Sequence, residues 1–191
     1  FNNITKFFTK KISKKLFIIS EGVSQDFVNN NKKNGNYLFF PAQLWPHKNH
    51  LTILKAIKIL NNKYKKKIKL ILVGQRYEKS FLILNFIKEN KNLDIEYLGL
   101  VSFEKLKRLY ANCKIVVCPA IYESSSLTLL EAIKISKPVI ASDTPPNIEL
   151  NKYFKINFFN KNSPHSFAKL IKNIWDNNDL LEKQISFNRK N

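Results

Sequence analysis

The sequence predicts an α/β fold, a parallel β-sheet flanked by helices. Three observations carry this. Short apolar runs of strand length alternate with segments of helical periodicity from residue 37 onward. Their spacing is that of βαβ units, which build parallel sheets. The chain of 191 residues is 44% hydrophobic and 13% aromatic, enough to bury one sizeable core and incompatible with global disorder.

The elements follow in order. Residues 37–41 (YLFFP) form an apolar run of the kind expected for a buried strand. A polar loop leads to 51–60, where apolar residues at 51, 53, 54, 56, 57, 59 and 60 make a helical pattern. Residues 68–73 (IKLILV) are a second strand ending at Gly74, and 81–87 lie in a second helix. Residues 95–98 are a third strand ending at Gly99, followed by a helix over 103–111. Residues 114–119 (KIVVCP) are a fourth strand, 127–135 a helix, 138–141 (PVIA) a fifth strand and 147–150 one helical turn. A sixth strand is expected over 153–159, and helices over 167–175 and 180–187 close the fold.

Composition narrows the function. The net charge is +19, and arginine occurs only at Arg76, Arg108 and Arg189, so 30 of the 33 basic residues are lysine. Nucleic-acid readers use arginine forks, and lysines spread over every solvated face do not make such a site; no nucleic-acid partner is expected. Cys113 and Cys118 are too few for a disulfide framework or a structural zinc site and fit a reduced interior. No apolar run is long enough for a signal-peptide core or a membrane span. A cytoplasmic location is expected, with peripheral contact at the inner face of a membrane left open. The chain contains no methionine, even at position 1, and reads as a fragment of a longer protein.

In an open parallel sheet the ligand sits beyond the carboxyl ends of the strands, here the loops 41–50, 74–78, 99–102, 119–126 and 141–146. Four glycines allow neither GxGxxG nor a P-loop. His47 and His50 lack a third ligand nearby and read as solvated loop histidines; no metal site is expected. Ser124, Ser125 and Ser126 precede a helix whose free N–H groups suit a phosphate, although capping alone would also explain them. Glu131 is a carboxylate in a nearly all-apolar helix, which is unfavourable without polar partners. It should lean toward the helix start, near Glu123. Such a carboxylate pair suits hydroxyl-rich ligands such as ribose and a hexose. The alternative is a surface Glu123 and a Glu131 paired with a lysine.

With KPVIASDTPPNIEL following Glu131, these residues resemble the donor-binding half of retaining GT-B glycosyltransferases of group 1, family four. The resemblance runs from about Ile18 to Asn188. ISEGVSQDF (19–27) is similar to the interdomain linker, LFFPAQLWPHKNHLTILKAI (38–57) to the first strand, phosphate loop and helix, and LILVGQ and YLGLVS to the next strand ends. The spacing Glu123-x7-Glu131 falls in its expected place. The resemblance implies a Rossmann-like domain over 19–191, a linker or truncated element over 1–18, and an absent N-terminal domain that holds the acceptor.

The resemblance also implies roles. Lys48 would contact the diphosphate of a nucleotide-sugar donor, Glu131 the ribose hydroxyls and Glu123 the donor sugar. Backbone amides around Ser124, Ser125, Ser126 and Leu127 would hold sugar and phosphate. Gly74, Gln75, Leu98, Gly99 and Val101 would line the base. Lys48 and Glu123 are the catalytic candidates, and no cofactor beyond the donor is implied. Gln43 stands where the family usually has an arginine, and the three serines replace a glycine-rich stretch. The expected whole enzyme transfers a hexose to a glycan or lipid-linked acceptor with retention. An epimerase of the same fold and a non-catalytic nucleotide-binding module are the alternatives.

Overall fold

The computed structural model describes residues 22–27 and 35–190. The stretch expected as a linker, 1–18, lies outside the described residues, as do the first three residues of the interdomain-linker match. Thirteen elements follow one another among the described residues: β1 (Tyr37–Pro41), α1 (His50–Tyr64), β2 (Lys69–Val73), α2 (Phe81–Glu89), β3 (Ile95–Tyr97), α3 (Phe103–Asn112), β4 (Ile115–Cys118), α4 (Leu127–Lys134), β5 (Val139–Ser142), α5 (Pro145–Leu150), β6 (Asn157–Phe159), α6 (Pro164–Ile174) and α7 (Asn178–Lys190). Single 3-10 turns precede α1 at Pro46–Lys48 and α2 at Glu78–Ser80. All six strands are parallel, in the order β3-β2-β1-β4-β5-β6.

Both faces of the sheet are covered, which is why the strands read as continuous apolar runs. Leu38 and Phe40 point into a core shared with α1, α2 and α6, whereas Phe39 between them points into a second core with Tyr110 of α3 and Leu129 of α4. α1 buries Ile53, Leu54, Ile57 and Leu60 on one stripe and stops at Lys65, which adopts a left-handed φ of 52°. Ser102 and Ser163 cap α3 and α6 through side-chain bonds to Lys105 N and Ser166 N. Proline at the first helical position starts both α5 and α6.

The expected sixth strand is shorter than 153–159. Lys155 gives its backbone N–H to Asn188 Oδ1, and its carbonyl accepts from Gln184 Nε2 and Asn188 Nδ2. These polar side chains of α7 take the backbone bonds that a longer β6 would have given to β5. The turn expected at 147–150 begins two residues earlier, at Pro145.

The strand order runs outward in both directions from the β1/β4 pair, so the topological switch point lies between them. The loops leaving β1 and β4 therefore flank the crevice where such sheets bind ligands.

Candidate functional site

Lys48 ends the 3-10 turn after β1, and Glu123 lies in the loop after β4. Lys48 Nζ donates to Glu123 Oε1 at 2.7 Å across the switch point. Their side chains are 22% and 13% exposed, so the pair is largely shielded from water. The backbone reinforces it. Ile121 N donates to His47 O at 2.8 Å, and Asn49 Nδ2 donates to Pro119 O at 3.0 Å and to Lys161 O at 2.8 Å. Asn49 adopts a left-handed φ of 61°, a conformation Asn tolerates, and so turns the chain from Lys48 into α1. Around the pair, Phe40, Ala42, Cys118 and Ser126 line a narrow crevice.

Glu131 is half-buried in α4. Its Oε2 accepts the hydroxyl of Tyr110 at 2.5 Å. Burial raises the Glu131 carboxyl above its ordinary 4.5, partly opposed by the Tyr110 bond. Burial, followed by the charge of Glu131, pushes the Tyr110 phenol well above 10. Among the described residues no lysine pairs with Glu131; a neutral phenol from α3 takes that place. Glu123 likewise is no surface carboxylate, because Lys48 covers it.

The remaining expected residues fall on the same edge of the sheet. Gly74, with φ 148°, lies where an added Cβ would meet Ala42 O at 2.1 Å. Gly74 N donates to Gly99 O at 3.0 Å, and Gln75 O accepts from Leu44 N at 3.0 Å. The ends of β1, β2 and β3 are thus laced together. Gln43 and Gln75 are exposed, and Leu98 and Val101 pack partly against the second core. Ser124 is exposed and Ser125 half-buried. Ser126, at the start of α4, is 3% exposed and makes no capping side-chain bond, so the capping role considered for it is not observed. Leu127 is the first residue of α4 and 42% exposed.

The histidines differ from the expectation. His50 is 2% exposed, stacked on Phe40 at 4.3 Å, because it opens α1 on the face that meets the sheet. Burial lowers it from its ordinary 6.5 to about 3, with the Ala42 backbone opposing the shift. His47 is half-buried and stacks on Tyr122 at 5.0 Å. No group of three His, Cys, Asp or Glu among the described residues is placed to hold a metal ion. Both cysteines are free and buried, and burial pushes their thiols up to about 12, too high for a reactive thiolate.

Sequence reasoning missed Tyr110 and Asn49. A tyrosine in a helical pattern carries no sign of its partner. Asn49 did carry one, because Asn is among the few non-glycine residues that adopt a left-handed backbone readily. A second cavity of about 410 Å³ opens among Gly35, Cys113, Lys137 and Arg189. It lies at the amino ends of β4 and β5, opposite the switch-point loops, and the ligand rule for parallel sheets favours the narrower crevice.

The sequence pattern of the glycosyl transferases of group 1 matches residues 24–191. The chain belongs to that family. Within it, the chain is 29% identical over 173 residues to the O-antigen chain mannosyltransferase RfbU of Salmonella typhimurium, covering 90% of this chain and 47% of that protein. It is 31% identical over 193 residues to the capsular polysaccharide biosynthesis glycosyltransferase CapH of Staphylococcus aureus, covering 94% and 52%. The chain spans about half the length of the curated relatives it matches. Among solved structures, a TarM mutant from S. aureus in complex with fondaparinux, alpha-GlcNAc-glycerol and UDP superposes with a TM-score of 0.77 at 19% identity, covering 94% of this chain and 37% of that one. HepE of Anabaena in complex with UDP superposes at 0.68 and 18% identity, covering 81% and 43%. These likenesses give this family member its GT-B-type fold. No helix among the described residues is long and apolar enough to cross a membrane.

Proposed function

We propose that the chain is the donor-binding domain of a retaining glycosyltransferase that takes a hexose from a nucleoside diphosphate sugar. The observation that carries this is the Lys48–Glu123 pair at the switch point of a group 1 glycosyl transferase sheet. A lysine beside a phosphate-length turn suits a diphosphate, and a shielded carboxylate suits sugar hydroxyls. Glu131, oriented by Tyr110, accepts from ribose. The start of α4 adds unpaired N–H groups for the phosphates. The ends of β2 and β3 border the base. UDP in the complexes of TarM and HepE supports the donor class.

In this reading the departing diphosphate gains negative charge in the transition state. Lys48 and the α4 amides stabilise it in place, without a metal. The names of RfbU and CapH support a glycan acceptor, and a lipid-linked one belongs to the same proposal. We assign the reacting end of that acceptor to a further domain, because the chain covers only about half of these relatives. The family favours a transferase over an epimerase or a non-catalytic module. Peripheral membrane contact through the surface lysines belongs to the same proposal.

Titration calorimetry of the folded chain with UDP, GDP and ADP tests the reading. Binding of at least one, with no glycosyl transfer by the chain alone, is the expected result. Absence of heat with all three overturns it.

A further inference from the structure

Consecutive residues of the two crevice loops meet as two parallel contacts. Lys48 pairs with Glu123, and the preceding residues, His47 and Tyr122, stack at 5.0 Å with an interplanar angle of 27°. Trp45 lies beside His47, its ring tilted by 50° with the centroids 5.5 Å apart. Three rings therefore form a short aromatic ladder beside the charged pair. The ladder is held from behind by the Ile121 N to His47 O bond and the Asn49 bond to Pro119.

Exposure separates the two contacts. Lys48 and Glu123 are recessed, whereas Tyr122 is 66% and Trp45 43% exposed. An enclosed donor sugar would engage the recessed pair. The rings instead stand at the mouth of the crevice, with Tyr122 the most exposed of the three. Flat aromatic faces offer large contact area at little entropy loss, which suits the C–H face of a pyranose.

We propose that the Trp45–His47–Tyr122 ladder is a saccharide-stacking subsite that takes a pyranose ring of the acceptor glycan, with Tyr122 as its principal contact. This rests on the donor-binding reading above, which places the donor in the recessed crevice. No nucleotide is required to occupy the ladder itself. The Tyr122 ring is oriented before binding, because it stacks on His47 and the two loops are tied by the Ile121 N to His47 O bond.

The two tryptophans supply the readout. Trp45 stands in the ladder, while Trp175 is 5% exposed beneath Lys114. Tryptophan emission of the chain is followed during titration with α-mannotriose and with maltotriose at millimolar concentration, on wild type, Tyr122→Phe and Tyr122→Ala. UDP, GDP, uridine and guanosine are titrated in parallel. The expected result is saturable quenching by at least one trisaccharide, retained in Tyr122→Phe and weakened at least about fivefold in Tyr122→Ala, a loss of the size expected for an aromatic contact. Nucleoside diphosphate affinity should change by less than about twofold in both variants. Equal trisaccharide affinity in Tyr122→Ala overturns the proposal. So does the loss of nucleoside diphosphate binding in that variant, which would make the ring structural. Quenching by a free nucleoside that depends on Tyr122 would give the ladder to the base instead. If wild type binds a nucleoside diphosphate but neither trisaccharide, the ladder proposal falls alone. If it binds neither class, the donor-binding reading falls with it.

Discussion

Lys48 Nζ and Glu123 Oε1 are 2.7 Å apart although 75 residues separate them in the chain. The contact joins the loop leaving β1 to the loop leaving β4, the two strands at which the sheet order reverses. Each of these residues therefore depends on the other for its position.

Replacing Lys48 with alanine should weaken UDP or GDP binding about 10- to 150-fold, the equivalent of a charge-assisted bond of about 1.5–3 kcal/mol. Binding of the plain nucleoside should hardly change. Equal losses for both ligands would move the phosphate site elsewhere. The same change leaves the shielded Glu123 unpaired, so the melting temperature should fall, and adding Glu123→Gln should recover most of that fall.

Gln43→Arg should tighten the diphosphate and leave the nucleoside unchanged, because it adds a cation to the loop that carries Lys48. Gln43 is exposed, so the change should not disturb the fold. An equal effect on both ligands would show that the arginine does not reach the phosphates.

Glu131 has a folded-state carboxyl raised above its ordinary 4.5, with burial as the main cause. An acid raised in this way stabilises the fold below its ordinary value, and that contribution is lost as pH rises through the folded value. Glu131→Gln keeps an acceptor for Tyr110 and carries no charge. Its melting temperature should therefore match wild type in acid and equal or exceed it at neutral pH, while nucleotide affinity falls. Glu131→Leu strands the buried Tyr110 hydroxyl and should lose about 1–3 kcal/mol. A large loss of stability in Glu131→Gln at neutral pH, with nucleotide affinity intact, would give Glu131 a structural role only.

His50 carries the opposite sign. Its folded-state value, about 3, lies below its ordinary 6.5 because the charged ring would be buried. Its contribution is present above 6.5 and is lost as pH falls toward 3. His50→Leu should flatten the acid limb of the melting curve within that window and change little above it. Parallel pH profiles for the two proteins would contradict this.

Gly74→Ala should destabilise the fold by about 1–3 kcal/mol, since its Cβ would lie 2.1 Å from the Ala42 carbonyl oxygen at a φ of 148°. Moving Ala42 also shifts Gln43, so nucleotide affinity should fall with stability. A mutant as stable as wild type would show that the β1 and β2 ends are not packed this closely in solution.

By itself the sequence determined the elements and the edge of the sheet where the site stands. β1 coincides with the run YLFFP, and α3 begins at the residue where its periodicity begins, because strand and helix periods are local properties of the chain. Lys48, Glu123 and Glu131 were legible as candidates because charge in those settings is chemically conspicuous. Tertiary structure alone decided the partners. That Lys48 meets Glu123, that Tyr110 holds Glu131, and that His50 is buried rather than solvated all follow from the strand order. Local periodicity cannot specify that order, since it is the packing of α1, α2 and α6 on one face and α3 and α4 on the other that brings residues distant in the chain into one crevice.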